Sequence, residues 1–135
     1  MKGIADTGFL VAFANSRDVH HDWAVAVAER IVEPLLTCEA VLAETAFHLG
    51  SVEVALSMIR EKMVRLAFNC QDHLPHLTAL ATQFRDRCPD LADLCLIRMS
   101  ELYPDHTVIT VDESDFRVYR RNKRRVIPFI SPPST

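Results

Sequence analysis

Apolar residues recur along this chain in two rhythms. Short apolar runs bounded by charged or turn-forming residues read as strands: residues 2–5, "PLLTC" at 34–38, "VRLAF" at 64–68, "TVIT" at 107–110 and "RVIPF" at 125–129. The last contains Pro128, which removes a ladder donor, so it is expected at a sheet edge. Between these runs the apolar spacing is helical. Helices are predicted over residues 7–15, 20–32, 39–49, 52–62, 74–88 and 90–102. In the second of these, Trp23, Ala26, Val27 and Ile31 share a face, and Pro34 stops it. Gly50 ends the third, and Pro89 limits the fifth. Short apolar strands alternating with helices predict an α/β protein, a three-layer α/β/α sandwich on a mostly parallel central sheet. One domain is expected over residues 1–130, with "SPPST" at 131–135 as a flexible tail.

Composition narrows the picture. At 135 residues the chain has room for one domain with a real core. Only three glycines argue against an all-β fold. The formal net charge of −3 predicts no general affinity for polyanions. Its distribution is uneven, because Arg117, Arg120, Arg121, Lys123, Arg124 and Arg125 crowd near the C-terminus and leave the rest acidic. Cys38, Cys70, Cys88 and Cys95 form no Cys-x-x-Cys pair and read as buried, reduced thiols rather than a zinc site. No apolar run is long enough to span a membrane, and the apolar N-terminal run contains Asp6 and Gly8 and lacks a cleavage pattern. A soluble, cytoplasmic protein with no membrane partner is expected.

Four acidic residues stand in the wrong surroundings. Asp6 lies in "GIADTGFL", Glu44 in "AVLAETAFHL", Asp93 in "LADLCLI", and Asp112 follows "TVITV". An isolated ionised carboxylate is strongly disfavoured in an apolar interior. Too few cations lie in comparable surroundings for four acids, Arg98 being the best candidate and Arg65 the next. Divalent metal ions are the economical partner, and an all-oxygen set suits Mg²⁺ or Mn²⁺. Asp6 and Asp112 end predicted strands, where open parallel sheets build their sites. Each acid also has a plainer explanation. Asp6 or Thr7 caps a helix, Asp90 and Asp93 are N-cap and N3 of theirs, Asp112 and Asp115 open a turn, and Glu44 pairs with Arg98. "DTG" at residues 6–8 also matches aspartic proteases, but those are β-rich and this chain is helical. His20 and His21 begin a helix away from the acids and read as surface residues.

The motifs together resemble the PIN-domain nucleases, in particular the VapC-type toxins of bacterial toxin–antitoxin pairs. "IADTGFLVAF" resembles the family's first strand, acid and helix, and "VLAETAFHL" its second acidic motif. "DLADLCLIRMSE" resembles the third and "VITVDESDFRVYR" the fourth. The resemblance implies a PIN-like fold, one or two Mg²⁺ or Mn²⁺ ions and RNA cleavage. It carries the catalytic, metal-holding role to Asp6, Glu44, Asp93 and Asp112, with Thr7, Asp90, Thr110 and Asp115 as additional site residues. A small antitoxin protein is the implied partner, and the apolar content of the helices between residues 52 and 80 suggests a homodimer.

The expected function is therefore a metal-dependent endoribonuclease, in which metal-activated water attacks the phosphodiester. A local basic patch, Arg117 to Arg125, is expected beside the acids to hold the polyanion. Two rival readings use the same residues: a module that binds RNA or an antitoxin without cutting, and a metal-dependent phosphatase.

Overall fold

In the computed structural model, which describes residues 1–134, the apolar runs become short strands and the helical stretches become helices. The chain runs β1 (Gly3–Ala5), α1 (Thr7–Ala14), α2 (His21–Ala28), β2 (Leu35–Thr37), α3 (Glu39–Leu49), α4 (Val52–Arg60) and β3 (Val64–Leu66). It continues with α5 (Leu74–Gln83), α6 (Leu91–Leu102), β4 (Thr107–Ile109), α7 (Glu113–Val118), β5 (Arg120–Arg121), β6 (Arg125–Val126) and β7 (Phe129–Ile130). Short 3₁₀ turns cover Cys70–His73 and Arg85–Arg87.

Five strands form one parallel sheet in the order β3-β2-β1-β4-β7. β1 and β2 are buried along their whole length, as strands covered on both faces must be. The order fixes the layers. Crossovers step from β1 to β2 to β3, then the chain returns past both to β4 on the other side of β1. Parallel crossovers are right-handed, so reversing direction puts α1 to α4 on one face and α5 and α6 on the other. The expected three-layer sandwich follows. The reversal also creates a switch point between β1 and β4, where a crevice opens at the strands' carboxyl ends.

Several boundaries differ from the sequence expectation. Residues 125–129 are not one strand. Pro128 has no N–H to give, but its carbonyl accepts from Val108 N–H (2.9 Å), so the chain joins the main sheet only from there on as β7. Arg125–Val126 instead pairs antiparallel with Arg120–Arg121 around a loop where Asn122 and Lys123 both take positive φ. The helix expected to Cys88 stops at Gln83, because Phe84 turns inward to meet Tyr119 edge-on at 5.3 Å. Cys88 then takes positive φ and turns the chain toward Asp90. The helix expected over 20–32 ends at Ala28, and that expected to residue 62 ends at Arg60, with Lys62 left-handed. Gly50 does end α3. It sits at φ +65°, its N–H donates to Phe47 and the next N–H donates to Ala46.

The tail expected over 131–135 is described to Ser134, and Thr135 lies outside the described residues. Ser131 and Pro132 are half-buried, beside a shallow pocket shared with His20, Trp23 and Val111. Among the described residues no helix is long and apolar enough to cross a membrane.

Candidate active site

Asp6 is the first residue past β1 and the N-cap of α1. Its N–H still donates to the carbonyl of Ile109 (3.0 Å), which extends the parallel ladder and pins the residue beside β4. Oδ1 accepts from Thr7 N–H (2.7 Å) and Oδ2 from the Thr110 hydroxyl (2.6 Å). Burial pushes its carboxyl up to about 6, aided by the charges of Asp112 and Glu44 and opposed by the two hydrogen bonds. The helix-cap explanation of Asp6 is therefore true but incomplete. A cap alone does not need a second buried acceptor or two carboxylates nearby.

Thr7 links two of the expected acids. Its backbone serves Asp6, and its hydroxyl donates to Glu44 Oε1 (2.9 Å) across from α3. The suggested pairing of Glu44 with Arg98 is not formed. Arg98 instead contacts Glu101 (3.1 Å) and His73 Nδ1 (3.2 Å). Thr110 links the other pair, because its oxygen also accepts from Asp112 N–H (2.9 Å). Asp112 caps α7, where Asp115 N–H donates to Oδ1 at 3.4 Å. Gly8 makes this approach possible. A Cβ there would collide with the Val111 side chain.

Asp90 caps α6 by accepting from Asp93 N–H (2.8 Å), as the cap explanation required. Asp93 itself accepts from the hydroxyl of Tyr119 through Oδ2 (3.0 Å). Burial pushes Asp93 up to about 7, with help from the charge of Asp90. The same contact and burial hold the Tyr119 proton firmly in place. Asp115 pairs with Arg87 (3.1 Å), and burial raises its carboxyl as well.

Asp6, Thr7, Glu44, Asp90, Asp93 and Asp112 border one cleft of about 440 Å³ at the β1/β4 switch point. Six carboxylates line it: Asp6, Asp18, Glu44, Asp90, Asp93 and Asp112. Thr7 lines it too, whereas Thr110 is buried behind Asp6 and Asp115 lies outside the lining. Asp18 and His48 were missed by the sequence reading. Asp18 has polar neighbours and looks like the turn residue it also is, accepting from His20 N–H (2.8 Å). His48 had a local signal, one helical turn after Glu44 on α3. Tyr119 had none.

No lysine or arginine lines the cleft among the described residues. Burial first, and then neighbouring carboxylates, pushes Asp6 and Asp93 toward protonation. The oxygen-rich set suits a hard divalent ion by its donor chemistry. It is not a closed cage: among the described residues, no three His, Cys, Asp or Glu side chains stand close enough to hold an ion.

The basic run, Arg117, Arg120, Arg121, Lys123, Arg124 and Arg125, does not line the cleft itself. Arg121 donates to the carbonyls of Ser100 (3.0 Å) and Pro104 (3.3 Å). Ser100 lies seven residues along α6 from Asp93, about 10 Å at the helical rise. Arg120 donates to the carbonyls of Arg117, Val118 and Tyr119, closing the end of α7, and Arg117 pairs with Glu113. Lys123, Arg124 and Arg125 are exposed on the hairpin.

The PIN domain family matches residues 4–122 of the chain. No curated protein sequence matches it. Among solved structures it is similar to VapC20 of Mycobacterium tuberculosis, described as a toxin that cleaves the sarcin–ricin loop. The TM-score is 0.67 at 19% sequence identity, covering 78% of this chain and 85% of that one.

Proposed function

We propose that this chain, which belongs to the PIN domain family, is a divalent-metal-dependent endoribonuclease and the toxin of a toxin–antitoxin pair. The observation that carries the reading is the cleft at the switch point, lined by six carboxylates and by no lysine or arginine among the described residues. Such a cleft repels RNA on its own and suits a substrate that arrives with cations. The fold likeness to VapC20 supports the toxin assignment and makes a sarcin–ricin-loop RNA the first substrate to try.

Asp6, Glu44, Asp93 and Asp112 would hold one or two Mg²⁺ or Mn²⁺ ions. Such an ion, when bound, supplies an activated water and neutralises charge on the phosphate. The chain's own residues do the positioning. Thr110 fixes Asp6, Thr7 turns Glu44 toward the cleft, and Tyr119 holds one oxygen of Asp93 so that the other is left free. With folded-state values of about 6 and about 7, Asp6 and Asp93 are ionised at mildly alkaline pH. The reading includes two protein partners, a small antitoxin and a second copy of the chain. Exposed Phe47, Val52 and Leu56, around a groove between α3 and α4, support a protein partner on that face.

The test is cleavage of end-labelled RNA with Mn²⁺, with EDTA, and with an Asp93→Asn variant. Wild type is expected to cut in Mn²⁺ only. Asp93→Asn is expected to lose cutting by at least a hundredfold, because it removes a ligand charge at constant volume while Tyr119 can still donate to the amide oxygen. Binding without cutting by wild type would select the non-cleaving module. Phosphate release from a monoester, with RNA left intact, would select the phosphatase.

A further inference from the structure

Cys95 has no exposed surface and lies on α6, two residues past Asp93. Its Sγ is 3.4 Å from Sγ of Cys70. Cys70 is partly exposed and opens the 3₁₀ turn that leads into α5. A third thiol, Cys38 at the N-cap of α3, is buried. Of these three thiols only Cys70 gives solvent a way in. The sequence predicts four buried, reduced thiols, but Cys70 is only partly buried and Cys88 is exposed. A disulfide needs its sulfurs about 2.05 Å apart, so closing the Cys70–Cys95 pair takes a movement of about 1.3 Å.

We propose that Cys70 and Cys95 form a redox-active pair that closes into an intramolecular disulfide on reaction with a low-molecular-weight disulfide such as oxidised glutathione. Cys70 gives up its proton and its sulfur attacks one glutathione sulfur. The glutathione S–S bond breaks, and the first glutathione leaves as a thiolate that takes up a proton. Cys95 then loses its proton and attacks Sγ of Cys70. The mixed disulfide breaks and the second glutathione leaves as a thiol. Two protein thiols are oxidised and one small disulfide is reduced to two thiols. Cys95 has no exposed surface, so a small disulfide in solvent cannot reach it first. Its contact with Cys70 makes it the resolving partner. The bond ties the turn ahead of α5 to the helix that carries Asp93, and the loop it closes contains Asp90.

The experiment incubates the native protein with oxidised glutathione, quenches with an alkylating agent on unfolding, and maps the peptides by mass. A cross-linked peptide joining Cys70 to Cys95, lost on reduction, is expected. Cys88, an exposed free thiol, serves as the internal control and carries a simple glutathione adduct. Cys95→Ser is expected to trap glutathione on Cys70, and Cys70→Ser to leave Cys95 as an alkylated thiol. The native protein decides the question even where a variant fails to fold. A stable glutathione adduct on native Cys70, a cross-link from Cys38 to Cys95, or no change at Cys70 beside a modified Cys88 would each overturn the proposal.

Discussion

One hydroxyl organises the acids at the residue scale. Thr110 is fully buried, donates to Asp6 Oδ2 and accepts from Asp112 N–H. Thr110→Val keeps the shape and removes both roles. It strands a buried carboxylate oxygen and a backbone donor, at a cost of about 2 kcal/mol or more. Urea unfolding should show a lower midpoint with an unchanged slope, and Thr110→Ser should stay near wild type. An unshifted Thr110→Val midpoint would remove the hydroxyl from this role. At this scale the sequence was legible where chemistry and neighbours disagreed. Asp6, Glu44, Asp93 and Asp112 were conspicuous as charges among apolar residues. Asp18 and Tyr119 were not, because each looks ordinary beside its neighbours. The Tyr119–Asp93 bond spans 26 positions and the Thr110–Asp6 bond 104, and such contacts leave no local trace.

Elements with a strong period were legible, and those set by tertiary context were not. α3 ends at Gly50 as its sequence says, because glycine takes the left-handed cap without strain. α7 escaped notice because it has six residues with only Phe116 buried, too few for a period to show. The basic run shows how an element redistributes function among its residues. Arg120 and Arg121 close the ends of α7 and α6, whereas Lys123, Arg124 and Arg125 stand free in solvent. Arg121→Ala should lower stability by about 1 kcal/mol, since two carbonyls lose a charged donor. Replacing Lys123, Arg124 and Arg125 together by serine should leave the melting temperature near wild type. If the hairpin touches RNA, that triple variant should also flatten the dependence of binding on salt by up to about three phosphate contacts. An unchanged salt slope would leave the hairpin as a solvated turn.

For the whole molecule, topology decides where charge collects. The reversal between β1 and β4 brings acids from α1, α3, α6 and the β4–α7 loop to one crevice. Their mutual repulsion and burial must then appear in stability. An ordinary aspartate titrates near 3.8, whereas folded Asp6 and Asp93 hold their protons to about 6 and about 7. Well below the ordinary value, near pH 2, both are neutral in either state and cost nothing. As pH rises toward 7 the unfolded chain binds fewer protons than the folded one, so stability falls. For buried Asp6 the loss is about 3 kcal/mol when complete. The metal-free protein should therefore melt at a higher temperature near pH 5 than near pH 8. Asp93→Asn should melt above wild type at pH 8 in EDTA, with the gap closing toward pH 4. Millimolar Mn²⁺ should stabilise wild type at pH 8, because it binds the folded cleft and not the unfolded chain. The same ion should do less for Asp93→Asn. An Asp93→Asn protein that melts below wild type at every pH, with wild type indifferent to Mn²⁺, would mean that these carboxylates hold the fold together as hydrogen-bond acceptors and bind no metal.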